Sequence, residues 1–185
     1  FSDDDVCSYD VVVEDNEDPT FTGCPTADIE LGTSVDGEDN DNCSTGFATS
    51  PAILATDNCS ATTALDWAIT ADNGASGATN GTDMATLAAA LDAMVFELGA
   101  TYVTVTVEDE ANPANDEVCS FTVRVTDNED PIITGCPAAD VALGTNADGL
   151  NNDNCSTGFA TSPAIFATDN CSATTALDWA IGADN

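Results

Sequence analysis

Three segments of the chain alternate apolar and polar residues with a period of two. Thr101–Val107 places valines at every second position, and Cys119–Val125 alternates its apolar residues with Ser, Thr and Arg. In Leu65–Ile69 the apolar Leu, Trp and Ile face one way and the intervening Asp and Ala the other. Successive side chains of a strand point to opposite faces, so each segment is predicted to be a β-strand with one buried face.

One segment has a different period. In Asp83–Met94 the residues Met84, Leu87 and Leu91 are spaced three and four apart, which predicts a short helix in an otherwise all-β unit. The helix lies in a longer, partly Gly-rich stretch, Gly74–Met94, which we interpret as an insertion at the surface.

The chain repeats itself at an offset of 112 residues. Residues 1–73 and 113–185 share 54 identical positions of 73, and the motif DNEDP occurs at Asp15–Pro19 and again at Asp127–Pro131. The sequence thus predicts the last strand of a preceding repeat (1–14), one complete repeat (15–126) and the first half of another (127–185). We expect the chain to be a window from a longer tandem array; the alternative is an assembling subunit that donates Phe1–Glu14 to a neighbour as a strand.

About seven strands in 112 residues, with a tryptophan on the third, are typical of an immunoglobulin-like β-sandwich. The predicted fold class is therefore all-β, with immunoglobulin-like sandwiches arranged in series. Trp67 and its counterpart Trp179 are expected in the cores of their repeats.

Charge limits the functions open to this chain. Its 34 acidic residues face one basic residue and no histidine, a formal net charge of −33. A nucleic-acid partner would need a basic surface, and an anionic membrane would repel the chain. No apolar run is long enough for membrane insertion. Without histidine or lysine, the common nucleophilic triads, Schiff-base lysines and imidazole metal sites are excluded, and we expect no enzymatic activity.

The acidic residues form clusters at positions that a sandwich brings together. The N-terminal junction, the loop between the second and third strands and the loop between the last two strands meet at one end of such a fold. Carboxylate and amide oxygens gathered there suit calcium ions, which take six to eight oxygen ligands. The alternative is a solvated acidic surface of the halophile type. The predicted calcium ligands are Asp15, Asn16, Asp18, Asp57, Asp109, Glu110, Asp116, Asp127, Asn128, Asp130 and Asp169.

A further Asp- and Asn-rich segment, Asp36–Asn42, recurs at Asp148–Asn154. It resembles a calcium loop but lacks the Gly and distal Glu of an EF-hand, and turns stabilised by Asp and Asn explain it nearly as well. The secondary candidate ligands are Asp36, Asp39, Asp41, Asp148 and Asp153.

The eight cysteines follow the repeat, four in each unit, and four cysteines allow three connectivities. None forms a Cys-x-x-Cys motif, so disulfides are favoured over a zinc site. Cys24 and Cys43 flank the first predicted hairpin, and Cys59 and Cys119 lie in loops at one end of the sandwich. We therefore predict Cys24–Cys43, Cys59–Cys119 and, by the same register, Cys136–Cys155, with the partners of Cys7 and Cys171 outside the chain.

Four motifs in order, DNEDPTFTGCP (Asp15–Pro25), ATDNCS (Ala55–Ser60), FELGATYVTVTVED (Phe96–Asp109) and CSFTVRVTDNEDP (Cys119–Pro131), make the unit resemble the hyalin repeat (HYR) module. This family consists of immunoglobulin-like domains of extracellular and cell-surface proteins. The resemblance implies a modular, structural or adhesive role without catalysis. Gly74–Met94 is longer than the corresponding connection in the family.

Two functions compatible with these features remain. The first is a structural segment of a long extracellular fibre or stalk, in which calcium stiffens head-to-tail contacts between neighbouring repeats. The second is an adhesin or other binding module that recognises a surface protein or glycan through the Gly74–Met94 insertion.

Overall fold

The computed structural model describes residues 7–33, 42–109, 115–144, 159, 162–172 and 176–182. Within them the chain is mostly β-strand with one short α-helix, as the sequence predicts. The elements are β1 (Thr20–Thr22), β2 (Ile29–Gly32), β3 (Ser44–Gly46), β4 (Leu54–Thr56), β5 (Asp66–Ala71), β6 (Asn80–Gly81), α1 (Leu87–Asp92), β7 (Val95–Glu97), β8 (Gly99–Glu108), β9 (Asp116–Thr126), β10 (Ile132–Thr134) and β11 (Phe166–Thr168).

The largest sheet has five strands in the order β2-β9-β8-β5-β6. The strand β2 runs parallel to β9, and the other neighbours are antiparallel. Two small antiparallel sheets, β1-β4 and β3-β7, complete the repeat in the described part of the chain. All three sheets contribute to one apolar core.

The three alternating segments form β8, β9 and β5 with the predicted faces buried. Val103, Val105 and Val107 on β8 are completely buried, and Trp67 on β5 is 4% exposed. Arg124 on β9 points outward, and its Nε donates to Asp28 Oδ2 at 2.7 Å. The alternation that predicted these strands therefore also identified their core faces.

The predicted helix exists, but its position in the fold differs from the expected surface insertion. A short 3-10 turn, Met84–Thr86, leads into α1, and the Asp83 carboxylate caps it by accepting from the Ala85 N–H at 2.9 Å. Leu87 and Leu91 are completely buried. Because these side chains fill the core, the helical part of Gly74–Met94 belongs to the framework of the repeat, and its interpretation as a surface insertion is wrong.

The segment also completes the environment of the buried tryptophan. The indole Nε1 of Trp67 donates to the Asp83 carbonyl at 2.9 Å and to the Thr86 hydroxyl at 3.2 Å. Buried indole N–H groups need such partners. The prediction that Trp67 is a core residue is confirmed.

The disulfide observed in this repeat connects Cys24 to Cys119, with Cα atoms 5.8 Å apart. The predictions Cys24–Cys43 and Cys59–Cys119 are therefore wrong. Cys24 follows β1 and meets Cys119 near the start of β9, so the bridge joins a small sheet to the large one and does not close a hairpin. Cys43, Cys59 and Cys136 are free thiols, and Cys155, the predicted partner of Cys136, lies outside the described residues.

The structure reproduces the sequence repeat in one strand pair and in the turn beside it. The pair β10-β11 has the register of β1-β4 shifted by 112 residues, Ile132 opposite Thr168 as Thr20 is opposite Thr56. In the turn that follows, Gly23 and Gly135 both adopt positive φ, 75° and 81°, and a Cβ there would lie 2.0 Å from the carbonyl oxygen of Ala52 or Ala164. Only glycine fits this conformation and approach without strain.

The second copy presents an open apolar surface. Its Trp179 is 80% exposed, in contrast to Trp67, so the expectation of a core position is not met for this residue. The described residues after 127 include counterparts of β1 and β4. An apolar groove in this part of the chain is lined by residues such as Ile133, Phe159 and Ile165.

Among the described residues, no helix combines the length and apolar character that crossing a bilayer requires.

Candidate metal centre at the repeat junction

Three carboxylates from distant parts of the sequence meet at one end of the complete repeat. Asp15 precedes β1, Asp57 follows β4 directly, and Asp109 follows β8 directly. One carboxylate oxygen from each lies within 4.8 Å of the others. Asp109 is only 6% exposed, and the other two are half-buried. The sequence predicted that these three residues converge, and the structure brings them together.

Local backbone structure orients two of these carboxylates. Asp57 Oδ1 accepts from the N–H groups of Cys59 at 2.8 Å and Ser60 at 2.7 Å, a turn typical of aspartate. Asp15 Oδ1 accepts from the Glu17 N–H at 3.3 Å. The Oδ2 atoms of Asp15 and Asp57 are buried and have no hydrogen-bond donor among the described residues. One oxygen of each carboxylate is thus engaged by backbone while the second remains available to a cation.

Asn115, which the sequence did not identify as a site residue, hydrogen-bonds to two members of the cluster. It is 6% exposed, and its Nδ2 donates to Asp109 Oδ2 and to the Asp15 carbonyl, both at 3.2 Å. It thereby links the loop after β8 to the segment before β1. Its only sequence clue is its place beside Asp116, in the loop that begins with Asp109 and Glu110.

The geometry of the three carboxylates suits a hard divalent cation. Two oxygens that share one calcium ion at about 2.4 Å each lie no more than about 4.8 Å apart. Without a cation, carboxylates this close repel one another, and the repulsion is stronger where burial lowers the effective dielectric constant. Among the described residues, no basic side chain belongs to this cluster. The arrangement can therefore hold an ion.

Other predicted ligands lie apart from this group. Asn16 and Asp18 are exposed, and Asp116 is exposed at the start of β9, opposite Glu108. In the second copy, Asn128 and Asp130 are exposed. Glu110 lies outside the described residues, as do all the secondary candidates, Asp36, Asp39, Asp41, Asp148 and Asp153.

The second copy repeats the turn but groups different ligands. Asp169 Oδ1 accepts from the N–H groups of Cys171 at 2.9 Å and Ser172 at 2.6 Å, as Asp57 does in the first copy. The atoms within 4.8 Å of one another here belong to Asp127, Glu129 and Cys171. Asp127 therefore takes the place expected from Asp15, whereas Asp169 does not join this group.

This end of the second copy rests directly on the first repeat. Thr33, which follows β2, donates from its hydroxyl to Asn128 Oδ1 at 3.3 Å. Asn170 Nδ2 donates to the Asn42 carbonyl of the first repeat at 3.2 Å, and also to Glu129 Oε2 within its own copy. The junction is thus a set of direct contacts between two repeats as well as a covalent connection through Asp127–Pro131.

The thiol pKa values of Cys59 and Cys171, which occupy equivalent places in the two copies, are raised by their surroundings. Partial desolvation, and then the charge and hydrogen bond of Asp15, raise the pKa of the Cys59 thiol. Desolvation, a hydrogen bond with the Cys43 thiol and the charge of Asp127 raise the pKa of Cys171 to about 12. Both thiols therefore stay protonated at neutral pH.

No family model, no curated protein and no solved structure matches this chain.

Proposed function

We propose that this chain is a structural segment of a long extracellular fibre, stalk or surface filament, built from immunoglobulin-like repeats of the hyalin-repeat type. Its partners are neighbouring repeats, joined head to tail. Calcium ions at each junction stiffen the array, and disulfides stabilise each repeat. The role is mechanical, with no catalysis and no contact with nucleic acid or membrane interior.

The observation that carries this proposal is that the second copy repeats local structure of the first beside the junction. The turn at Asp57 and the turn at Asp169 make the same hydrogen bonds, and the strand pairs beside them share one register. Near-identical repeats joined in series by like contacts are related by one constant rotation and translation. A regular rod is the consequence.

Calcium is supported by the charges at this junction. Asp15, Asp57 and Asp109 bring together three carboxylates, and two of their buried oxygens have no donor among the described residues. A divalent cation would supply the missing partner and offset the mutual repulsion. Because Asp15 precedes β1 while the other two follow strands of the repeat, a shared ion would fix the linker segment to the body of the domain.

The immunoglobulin-like assignment and the extracellular location have support of their own. The five-stranded sheet carries a buried tryptophan on β5, in the same core as the half-cystine Cys119. A buried tryptophan near a core disulfide is a feature of immunoglobulin domains. Structural disulfides persist mainly in oxidising compartments, and Cys24–Cys119 therefore favours secretion.

The alternative role, recognition of a surface protein or glycan through Gly74–Met94, receives less support. Met84, Leu87, Leu91 and Met94 in this segment are all buried. A segment whose apolar residues are committed to the core has less freedom to act as an adaptable recognition loop.

The test is thermal unfolding of the full chain with calcium and with a chelator. A ligand that binds only the folded state stabilises it by about 2.7 kcal/mol at a hundredfold excess over Kd. We expect calcium to raise the melting temperature, and sodium chloride at equal ionic strength to have a much smaller effect. Small-angle scattering should show a straighter and less variable arrangement of the repeats when calcium is bound.

Two variants with the same change of charge provide the matched comparison. Asp57→Asn should remove most of the calcium-dependent stabilisation, whereas Glu97→Gln, at an exposed carboxylate on β7 outside the cluster, should retain it. Identical melting and scattering with calcium and with chelator would show that the junction is an acidic surface of the halophile type. The proposal of a fibre that needs no calcium would then be tested separately. The mass of the intact natural polypeptide, measured after reduction, should correspond to many multiples of the repeat.

A further inference from the structure

Two thiols from different repeats lie against each other at the junction. Cys43 precedes β3 of the complete repeat, and Cys171 follows β11 of the next copy. The Cys43 Sγ donates to the carbonyl oxygen of Asn170 at 2.7 Å, and the Cys171 Sγ lies 3.8 Å from the carbonyl oxygen of Asn42. Each thiol thus reaches the residue that precedes the other cysteine.

Further contacts hold the two segments in this reciprocal arrangement. The Asn170 side chain donates to the Asn42 carbonyl at 3.2 Å, so the two Asn-Cys segments contact each other through side chains and backbone. Both cysteines are half-buried, whereas Cys7, Cys59 and Cys136 are exposed free thiols. The contact between repeats is what shields Cys171, because its counterpart Cys59 is exposed in the same turn of the first copy.

The residues beside the eight cysteines divide them into three classes. Cys24 and Cys136 follow glycine and precede proline, and Cys7 and Cys119 follow valine. The remaining four lie in an Asp-Asn-Cys-Ser motif, at Cys43, Cys59, Cys155 and Cys171. The observed disulfide pairs the first class with the second, Cys24 with Cys119, and the motif class is left to pair within itself.

We propose that Cys43 and Cys171 form a disulfide that covalently joins one repeat to the next. Each complete repeat then has two kinds of bridge, one inside the repeat and one across the junction. The two bridges overlap in sequence, because Cys43 lies between Cys24 and Cys119, and Cys119 lies between Cys43 and Cys171. The crossing bridge would restrict bending and separation of adjacent repeats whether or not the junction binds calcium.

Formation of the bridge requires a two-electron oxidant, which we assign to the class of disulfide donors found in secretory compartments. One thiolate of the pair attacks a sulfur of the donor disulfide, forms a mixed disulfide and releases the first donor thiol. The second thiolate then attacks the cysteine sulfur of the mixed disulfide and releases the second donor thiol. The two cysteines lose two electrons and two protons in total, and the donor gains them as two thiols.

A single trypsin site in the chain allows this disulfide to be tested. Arg124 is its only basic residue, so trypsin has a single cleavage site, between the two cysteines. The oxidised full chain would be treated with a maleimide to block free thiols, denatured, digested with trypsin and weighed with and without reductant. A bridge from Cys43 to Cys171 holds the fragments 1–124 and 125–185 together until the reductant is added, whereas Cys24–Cys119 lies within the first fragment.

We expect one joined species with the mass of a single chain, which separates into two fragments on reduction. Cys43→Ser should yield separate fragments without reductant, and the matched variant Cys59→Ser should remain joined. Separation of the wild-type fragments without reductant, or a joined species with the mass of two chains, would overturn the proposal. Because the digest is made on denatured protein, the wild-type result stands even if a variant folds poorly.

Discussion

The hydroxyl of Thr33 and the side chain of Asn128 meet across the repeat junction, with Thr33 Oγ1 3.3 Å from Asn128 Oδ1. The Asn128 N–H also lies 3.5 Å from the same hydroxyl, so one threonine contacts both the backbone and the side chain of the linker. Thr33 is only 3% exposed. A Cβ on the neighbouring Gly32 would lie 2.7 Å from Asn128 Nδ2, so the glycine leaves room for the asparagine. The linker is thus packed against the end of β2.

Replacing this hydroxyl should loosen the junction without unfolding the repeat. Thr33→Val keeps the shape of the side chain and removes its hydrogen bonds, at a cost of about 1 to 3 kcal/mol for the unsatisfied partners. We expect wider variation in the distance between repeats, measured by fluorescence energy transfer between labels on the two copies. Thr104→Val is the control, because its hydroxyl pairs with Ser120 in the middle of the large sheet, at 3.3 Å. Equal broadening in both variants would contradict a specific role for Thr33.

The helix α1 should prove essential to the core. Leu91→Ala removes a completely buried side chain and should lower the free energy of unfolding by about 2 to 5 kcal/mol. The same change at Leu98, which is 41% exposed, should have a much smaller effect. Chemical denaturation of both variants measures the difference. If Leu91→Ala is as stable as Leu98→Ala, the helix is a dispensable surface feature after all.

The disulfide inside the repeat should make a large contribution to stability. Cys24 and Cys119 are 95 residues apart in sequence. On the chain-entropy account, a loop of this length contributes about 4 to 5 kcal/mol. Replacing both by alanine should lower the denaturation midpoint accordingly, while alanine at the exposed Cys7 and Cys136 should not. Peptide mapping of the oxidised chain should recover a Cys24–Cys119 linkage; a Cys24–Cys43 peptide would reinstate the hairpin pairing.

In the fully reduced, folded chain, Cys171 should react slowly with alkylating agents. Its pKa is raised from the ordinary 9.0 to about 12, so little thiolate is present at pH 8. We expect alkylation to be about thirtyfold slower than in the denatured chain, since greater nucleophilicity partly offsets the smaller thiolate fraction. Mass spectrometry of timed samples measures the rate.

The same shift fixes the sign of a pH effect. Because the folded state holds the Cys171 proton more tightly, this group stabilises the fold below pH 9.0, and the contribution is lost as the pH rises towards about 12. Cys43→Ala removes one of the causes and should accelerate alkylation of Cys171, whereas Cys59→Ala should leave it unchanged. Alkylation of Cys171 at the same rate in folded and denatured wild-type chain would contradict the shift.

Much of the framework was determined by sequence alone. The alternation at Val103, Val105 and Val107 fixed both the existence of β8 and its buried face, because the strand period is a local property of the backbone. The spacing of Leu87 and Leu91 likewise predicted a helix with one apolar face. The convergence of three carboxylates followed from knowing which loops share an end of the predicted sandwich.

Only the tertiary structure decided how the cysteines are paired and what the helix covers. Whether Cys24 meets Cys43 or Cys119 depends on how separate sheets pack, and sequence spacing carries no information about that packing. Burial of α1 and the bridging position of Asn115 depend in the same way on contacts between elements far apart in the chain. The proximity of Cys43 and Cys171 goes one step further, because it arises from the docking of one repeat on the next. A period in sequence shows that the repeats are alike, but the contacts between them follow from their surfaces in three dimensions.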